Sequence, residues 1–369
     1  MDLSKFETQI RKTGFDLENR IAQALRDAGW TVISNKYYVD DFEESVREID
    51  LVAYRVAKVQ HFDLYTTLII SCKKSETNAW ALLARDLNIK DPNSDWWPLH
   101  AWSNDKALQY QLTQPGIARR YHDQLPGLGV ADALQFPAVE VFAFQEMDRN
   151  SGTVQNDRPI FTAITSLMKA QAYELSALPL RKKSPSVYQF NLLSVVDADL
   201  IRLKFSGGDI KGSEIDTEHY IARYIVRKKE TFSRIRFIKA DMFPALLADY
   251  GRLHAANCKW FGLTCDAFYE QVVGDLHRTR VFLEDFTEAV KWFLRWRVSR
   301  QLQKTIDLDT LSLNWRGSKK LLSLSASLDA DVIAFLNGDE EIKRHVAGQL
   351  KKIYRYDGPF NFDDDDIPF

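Results

Sequence analysis

The chain has 369 residues, of which 45% are hydrophobic and 27% charged, and a formal net charge of −2. That length allows two or three domains with a sizeable core, and the balance excludes a disordered or fibrous chain. Near-neutral charge excludes a uniformly basic nucleic-acid coat, although four aspartates mask the rest: without Asp363, Asp364, Asp365 and Asp366 the −2 becomes +2. In chain order, Phe15, Leu17, Ile21, Ala24 and Leu25 recur at helical spacing, with Gly29 as C-cap and Glu18 on the same helix. A strand is expected near residues 30–34. The run Arg47-Glu48-Ile49-Asp50-Leu51-Val52-Ala53 reads as a strand with Asp50, Val52 and Tyr54 on one face. Residues 66–72 are short, β-branched and apolar, and alternation puts Ile69, Ser71 and Lys73 on one face and Leu68, Ile70 and Cys72 on the other.

Residues 91–104 form a turn-rich loop whose Trp96, Trp97 and Trp102 are expected to cover a core edge rather than stack on bases. A strand at 138–144 and a helix at 159–175 complete an α/β layer. Residues 180–185, with Arg181, Lys182 and Lys183, read as a basic, proline-flanked linker. Strands at 187–195 and 200–205 flank Asp197-Ala198-Asp199 as a hairpin, and two more strands are expected at 219–226 and 234–238. Arg223, Arg227, Lys228, Lys229, Arg234, Arg236 and Lys239 gather there with Glu230 as the single acid, a strip suited to backbone phosphates. From 242 to 354 the pattern is mainly helical, with an apolar stripe at Phe286, Val290, Phe293 and Leu294. His254, His277 and His345 lack metal-ligand spacing, and Gly207, Gly208 and Gly212 do not make a phosphate loop. Cys72, Cys258 and Cys265 also lack metal spacing and suit a reducing, cytoplasmic setting. No run approaches the ~20 apolar residues of a membrane span, and no apolar leader core is visible, so no membrane association is expected.

The order helix with Glu18, strand, strand with Asp50, strand with Ser71-Cys72-Lys73 resembles the PD-(D/E)xK nuclease superfamily, especially its Mrr-like and Holliday-junction-resolvase-like branches, over residues 10–90. The resemblance implies that Asp50 binds a metal, that Lys73 positions water and stabilises negative charge, and that Glu18 supports the metal shell. Hard oxygen ligands of this kind take Mg²⁺ or Mn²⁺. It also implies a backbone carbonyl at Cys72 as a ligand. Ser71 departs from the pattern, because the family carries an acid there. Relatives with Ser-x-Lys draw the acid from a following helix, expected here at 76–87, which makes Asp86 and Glu76 the candidates.

The ending Asp363-Asp364-Asp365-Asp366-Ile367-Pro368-Phe369 is similar to the C-terminal tip of bacterial single-stranded DNA-binding protein (SSB). That resemblance implies docking on repair or replication proteins, with Phe369 in an apolar pocket and the aspartates against a basic rim. The expected fold is α/β: a restriction-endonuclease-like mixed sheet flanked by helices, then an α+β region, a helical C-terminal region and a disordered acidic tail. The expected divisions are a nuclease-like domain at 1–180, a β-rich subdomain at 181–260, a helical region at 261–356 and the tail at 357–369. The expected activity is metal-dependent DNA cleavage in repair or anti-phage defence, by a chain that resembles proteins often acting as homodimers. The alternative is a decayed nuclease fold serving as an adaptor or decoy for SSB-binding proteins.

Overall fold

A computed structural model describes residues 3–40 and 44–364. It divides into two compact units, residues 1–105 with 115–260, and residues 106–114 with 261–369. Both are mixed α/β, with helices flanking multi-stranded sheets.

The first unit opens with α1 (Ser4–Ile10) and α2 (Gly14–Asp27). α2 buries Leu17, Ile21, Ala22 and Leu25 on one stripe. It stops where Gly29 takes φ +78°. The Gly29 N–H then donates to Arg26 O and the Trp30 N–H to Leu25 O, both at 2.9 Å, which satisfies two carbonyls of the last turn. Strands β1 (Thr31–Val39), β2 (Val46–Val59) and β3 (Phe62–Lys74) run as an antiparallel meander. β3 is buried along most of its length, as expected of a central strand covered on both faces.

Next come β4 (Asn78–Arg85), β5 (Ala101–Ser103), α3 (Lys106–Leu112, part of the second unit), α4 (Ile117–Gln124), β6 (Glu140–Asp148) and α5 (Arg158–Arg181). The unit is completed by β7 (Ser186–Asp197), β8 (Leu200–Ser206), β9 (Asp209–Glu214), β10 (Thr217–Val226), β11 (Lys229–Lys239) and the start of α6 (Phe243–Tyr269). One sheet has the order β1-β2-β3-β7-β11-β10, with β5 also on β7; a four-stranded sheet has the order β6-β4-β8-β9. β3 pairs with β7 in parallel, and so does β4 with β8. The same two neighbouring chain segments thus leave the large sheet side by side and enter the small one. Asp197 and Asp199 mark the crossing: the Ser75 N–H donates to Asp197 O at 3.0 Å and the Trp80 N–H to Asp199 O at 2.8 Å.

Three expectations are corrected here. Residues 76–87 hold β4 rather than a helix; Ala79, Trp80, Ala81, Leu82 and Ala84 are all buried, so the run is apolar on both faces. β7 and β8 do not form a hairpin, because each belongs to a different sheet. Residues 181–260 are not a separate subdomain, since β7, β10 and β11 are strands of the large sheet itself. A buried polar network seats α6 on that sheet: Asn257 Nδ2 donates to Thr66 Oγ1 at 3.0 Å and to Gln189 Oε1 at 3.1 Å, and accepts from Tyr121 Oη at 2.7 Å. Trp96 is buried, as expected of a core-edge residue.

The second unit contains α7 (Leu276–Val281), α8 (Leu283–Leu302), β12 (Ser312–Arg316), β13 (Leu321–Ala326), α9 (Ala330–Gly338), α10 (Glu340–Tyr354) and β14 (Phe360–Asp364). Its core joins Phe286, Val290, Leu294 and Val298 of α8 to Ile342, Val346, Leu350 and Tyr354 of α10, each set at four-residue spacing. The region expected to be helical also carries a sheet of order β12-β13-β14. The acidic ending therefore begins as a strand, with Phe362 buried and Asp363 paired with Arg316. Residues 365–369, which hold the rest of the expected docking tip, lie outside the described residues. Among the described residues no helix is long and apolar enough to cross a membrane.

Candidate active site

The site forms where two strands part. The β2–β3 ladder ends with Leu51 opposite Ile70. Beyond it β2 continues with β1 alone, and β3 continues with β7 through Lys74. An amide on the parting edge needs another acceptor. The Cys72 N–H donates to Asp50 Oδ2 at 2.6 Å, and Ser71 Oγ donates to the same oxygen at 3.3 Å. Lys73 Nζ stands 3.6 Å from it. The structure thus brings Asp50, Ser71, Cys72 and Lys73 together. All three contacts fall on Oδ2, and Oδ1 has no partner among the described residues.

Glu18 of α2 belongs to the same group. Burial raises its pKa above the ordinary value; Asp50 raises it further, Lys73 opposes, and Glu48 adds to the rise. Burial likewise pushes the Cys72 thiol well up, reinforced by Asp50 and Glu18 and opposed by Lys73. The Cys72 sulfur is therefore a protonated, buried packing group, and the residue's observed part is its backbone N–H. Three carboxylates against one ammonium leave a negative local field. A free carboxylate oxygen in such a field fits a hard divalent cation, so Asp50 and Glu18 would hold Mg²⁺ or Mn²⁺.

The two acids expected to compensate for Ser71 do not join this group. Glu76 is exposed and lies 3.7 Å from Lys74 Nζ. Asp86 is 81% exposed and lies 2.7 Å from Lys204 Nζ. With β4 in place of a helix, neither shares a contact with Asp50 or Lys73. Lys73 instead opens onto a cleft of about 450 Å³ that Asn78, Glu146, Asn156, Arg158 and Thr162 also line. Glu146 lies two residues before the end of β6.

The basic strip of β10 and β11 is not one surface. Arg236 is buried, with Nε donating to Thr217 Oγ1 at 3.0 Å. Arg234 is half-buried, donates to Gln135 O and Trp96 O at 3.2 and 3.3 Å, and has its pKa lowered to about 10 by burial. Both are turned into the fold, which corrects the expectation that they meet backbone phosphates. Arg223 pairs with Glu230, Arg227 donates to Ser176 Oγ, and Lys239 pairs with Glu214. Lys228 and Lys229 remain exposed at the hairpin tip, where Arg227 and Lys228 both take positive φ.

Compared with known protein families, curated proteins and solved structures, the chain matches none.

Proposed function

We propose that this chain hydrolyses phosphodiester bonds in DNA with the help of Mg²⁺ or Mn²⁺. The observation that carries the reading is the convergence of the Cys72 N–H and Lys73 Nζ on one oxygen of Asp50 while the other stays free. The metal ion, when bound, supplies Lewis-acid polarisation of the phosphate. Asp50 offers its free oxygen as a ligand, fixed in direction by the backbone N–H. Glu18 adds a second carboxylate beside it. The Lys73 ammonium stabilises charge that builds on the phosphate oxygens as water attacks. In that step a water oxygen bonds to phosphorus, the bond to one deoxyribose oxygen breaks, the leaving oxygen takes up a proton, and the water releases one to solvent.

The test is cleavage of plasmid and single-stranded DNA with and without divalent metal. Asp50→Asn and Lys73→Ala are each expected to lower the rate on the order of 10²-fold or more. Equal rates in all three proteins overturn the reading. A second reading, an adaptor or decoy that binds SSB-interacting repair or replication proteins, draws support from Ser71, which leaves the motif one acid short. Under it no protein of the set cleaves, and partner binding depends on residues 365–369. A place in repair or anti-phage defence rests on the same tip.

A further inference from the structure

Arg234 and Arg236 share a face of β11, and His219 of β10 sits opposite Arg236. β11 pairs with β7 only from Ile235 opposite Leu192 onward, and where the two strands part a cavity remains inside the first unit. About 30 Å³ of it is open to the centres of water-sized atoms, more than the roughly 10–15 Å³ that one water needs. Both arginines line it, with His122 of α4, Gln171 of α5 and His219. Arg236, His122, Gln171 and His219 are 3, 8, 2 and 6% exposed. Each of the five leaves one buried atom without a partner: Arg234 Nε, Arg236 Nη1, Gln171 Nε2, His122 Nδ1 and His219 Nδ1. Buried polar atoms are rarely left so, and here five gather around one cavity. The two guanidiniums form no ion pair among the described residues, no acid among them lines the cavity, and Asp95 only weakly offsets the burial of Arg234. Two enclosed positive charges without a counter-ion are costly.

The unpartnered atoms are of two kinds. Gln171 Oε1 accepts from Ser233 Oγ at 3.2 Å, so its Nε2, like the arginine nitrogens, is a donor. His122 Nε2 faces Pro98 O and His219 Nε2 faces Asp132 O, both at 3.1 Å, so each Nε2 carries the ring proton and donates it. Burial, reinforced by Arg234, lowers the pKa of both imidazoles, that of His122 to about 4, which leaves each Nδ1 an acceptor. Water satisfies both kinds of atom but not the charge. Chloride and sulfate satisfy the charge but bring no proton. Phosphate at neutral pH keeps a proton and does both, and its oxygens all lie one bond length from phosphorus, which suits so small a space.

We infer that this cavity binds inorganic phosphate in a protonated form, with Arg234, Arg236 and Gln171 donating to its oxygens and its hydroxyl donating toward His122 and His219. The site is independent of the hydrolytic reading, because Asp50, Glu18 and Lys73 do not line it.

The experiment takes the full chain, freed of phosphate by dialysis as checked by molybdate assay, and titrates it calorimetrically with phosphate, sulfate and chloride, with melting as a second readout. Phosphate is expected to bind and to raise Tm, sulfate to bind at least tenfold more weakly, and chloride and a nucleoside monophosphate to have no effect. Arg236→Met is expected to weaken phosphate binding at least tenfold, and its Tm without phosphate to equal or exceed that of the natural chain. Gln171→Glu, which places a carboxylate in the cavity, is expected to raise Tm without phosphate and to abolish the further rise with it. Asp50→Asn is expected to bind phosphate as the natural chain does. Absence of phosphate binding at millimolar concentration means that water alone fills the cavity and overturns the assignment. Equal affinity for sulfate overturns it too, as does phosphate binding that survives in Gln171→Glu. If Asp50→Asn loses phosphate while Arg236→Met and Gln171→Glu keep it, the ion belongs to the candidate active site and this inference alone fails.

Discussion

Glu18 sits in an environment at odds with its charge. Burial, Asp50 and Glu48 all favour its protonated form, and Lys73 only partly offsets them. An acid whose folded-state pKa is raised binds its proton more tightly when folded. Its contribution to stability is present below the unfolded value and is lost as pH rises through the folded one. At neutral pH without metal the ionised side chain is therefore a burden. Glu18→Gln is expected to be more stable than the natural chain in EDTA at pH 7, by no more than about 1 kcal/mol because solvent screens a half-exposed group. The difference should shrink as pH falls through the raised folded value and be gone below the ordinary glutamate value of 4.5. Denaturant melts across pH check the sign, and Mn²⁺ should reverse it by stabilising the natural chain preferentially. Equal stability across the whole pH range would show that the carboxylates do not sense one another. Asp50, Lys73 and Glu18 were legible in the sequence because strand alternation and one amphipathic helix fix their directions locally. The failure of Glu76 and Asp86 to join them was not, because nothing local shows that the segment after Lys73 runs on as a strand of another sheet.

At the scale of elements, the misreadings share a cause. β4 is built of Ala, Trp and Leu, residues that suit a helix, and burial on both faces erases the period that would separate the two structures. β7 and β8 have the lengths and the polar break of a hairpin, yet Asp197 and Asp199 serve a crossing between sheets. The meander β1-β2-β3 was readable because each antiparallel connection is local. The acidic ending shows the limit of composition as a guide. Its aspartates point to a solvated tail, but Phe360 and Phe362 alternate with polar residues, and β14 joins β13 in parallel with Phe362 opposite Leu324. Asn337 ties both backbone groups of Phe362, its Nδ2 donating to the carbonyl at 2.9 Å and its Oδ1 accepting from the N–H at 2.8 Å. Phe362→Ala should therefore cost about 3–5 kcal/mol, the range for truncating a buried aromatic ring. Removal of residues 365–369 should leave the melt unchanged and abolish capture of SSB-binding proteins. Calorimetry with fluorescence anisotropy separates the two effects; a lower Tm for the shortened chain would assign the tip to the fold rather than to docking.

At the scale of the whole molecule, the chain does not divide where its sequence invites a cut. The expected boundary at residue 180 falls within the last turn of α5, inside the first unit, and the basic segment there carries structure: Lys182 Nζ donates to Tyr65 Oη at 3.0 Å. The second unit in turn claims residues 106–114 from the middle of the first. α3 earns that membership through side chains. Gln111 Nε2 donates to Thr264 O at 3.2 Å, Lys106 Nζ donates to Asp285 Oδ2 at 2.6 Å, and Tyr110 meets Phe268 edge to face at 5.5 Å. Ala107 and Leu108 are fully buried as well. A fragment ending at residue 260 keeps α3 but removes every one of those partners, so it should expose an apolar helix in place of a polar surface. It is expected to bind a hydrophobic dye such as ANS and to elute as aggregates in size exclusion. Changing Leu108 and Tyr110 to serine in that fragment should restore solubility without altering Asp50, Lys73 or Glu18. A monodisperse 1–260 fragment with a cooperative melt and no dye binding would mean that α3 is held by the first unit instead. The nuclease assay on isolated fragments would then be admissible; if aggregation is observed, activity has to be measured on the full chain.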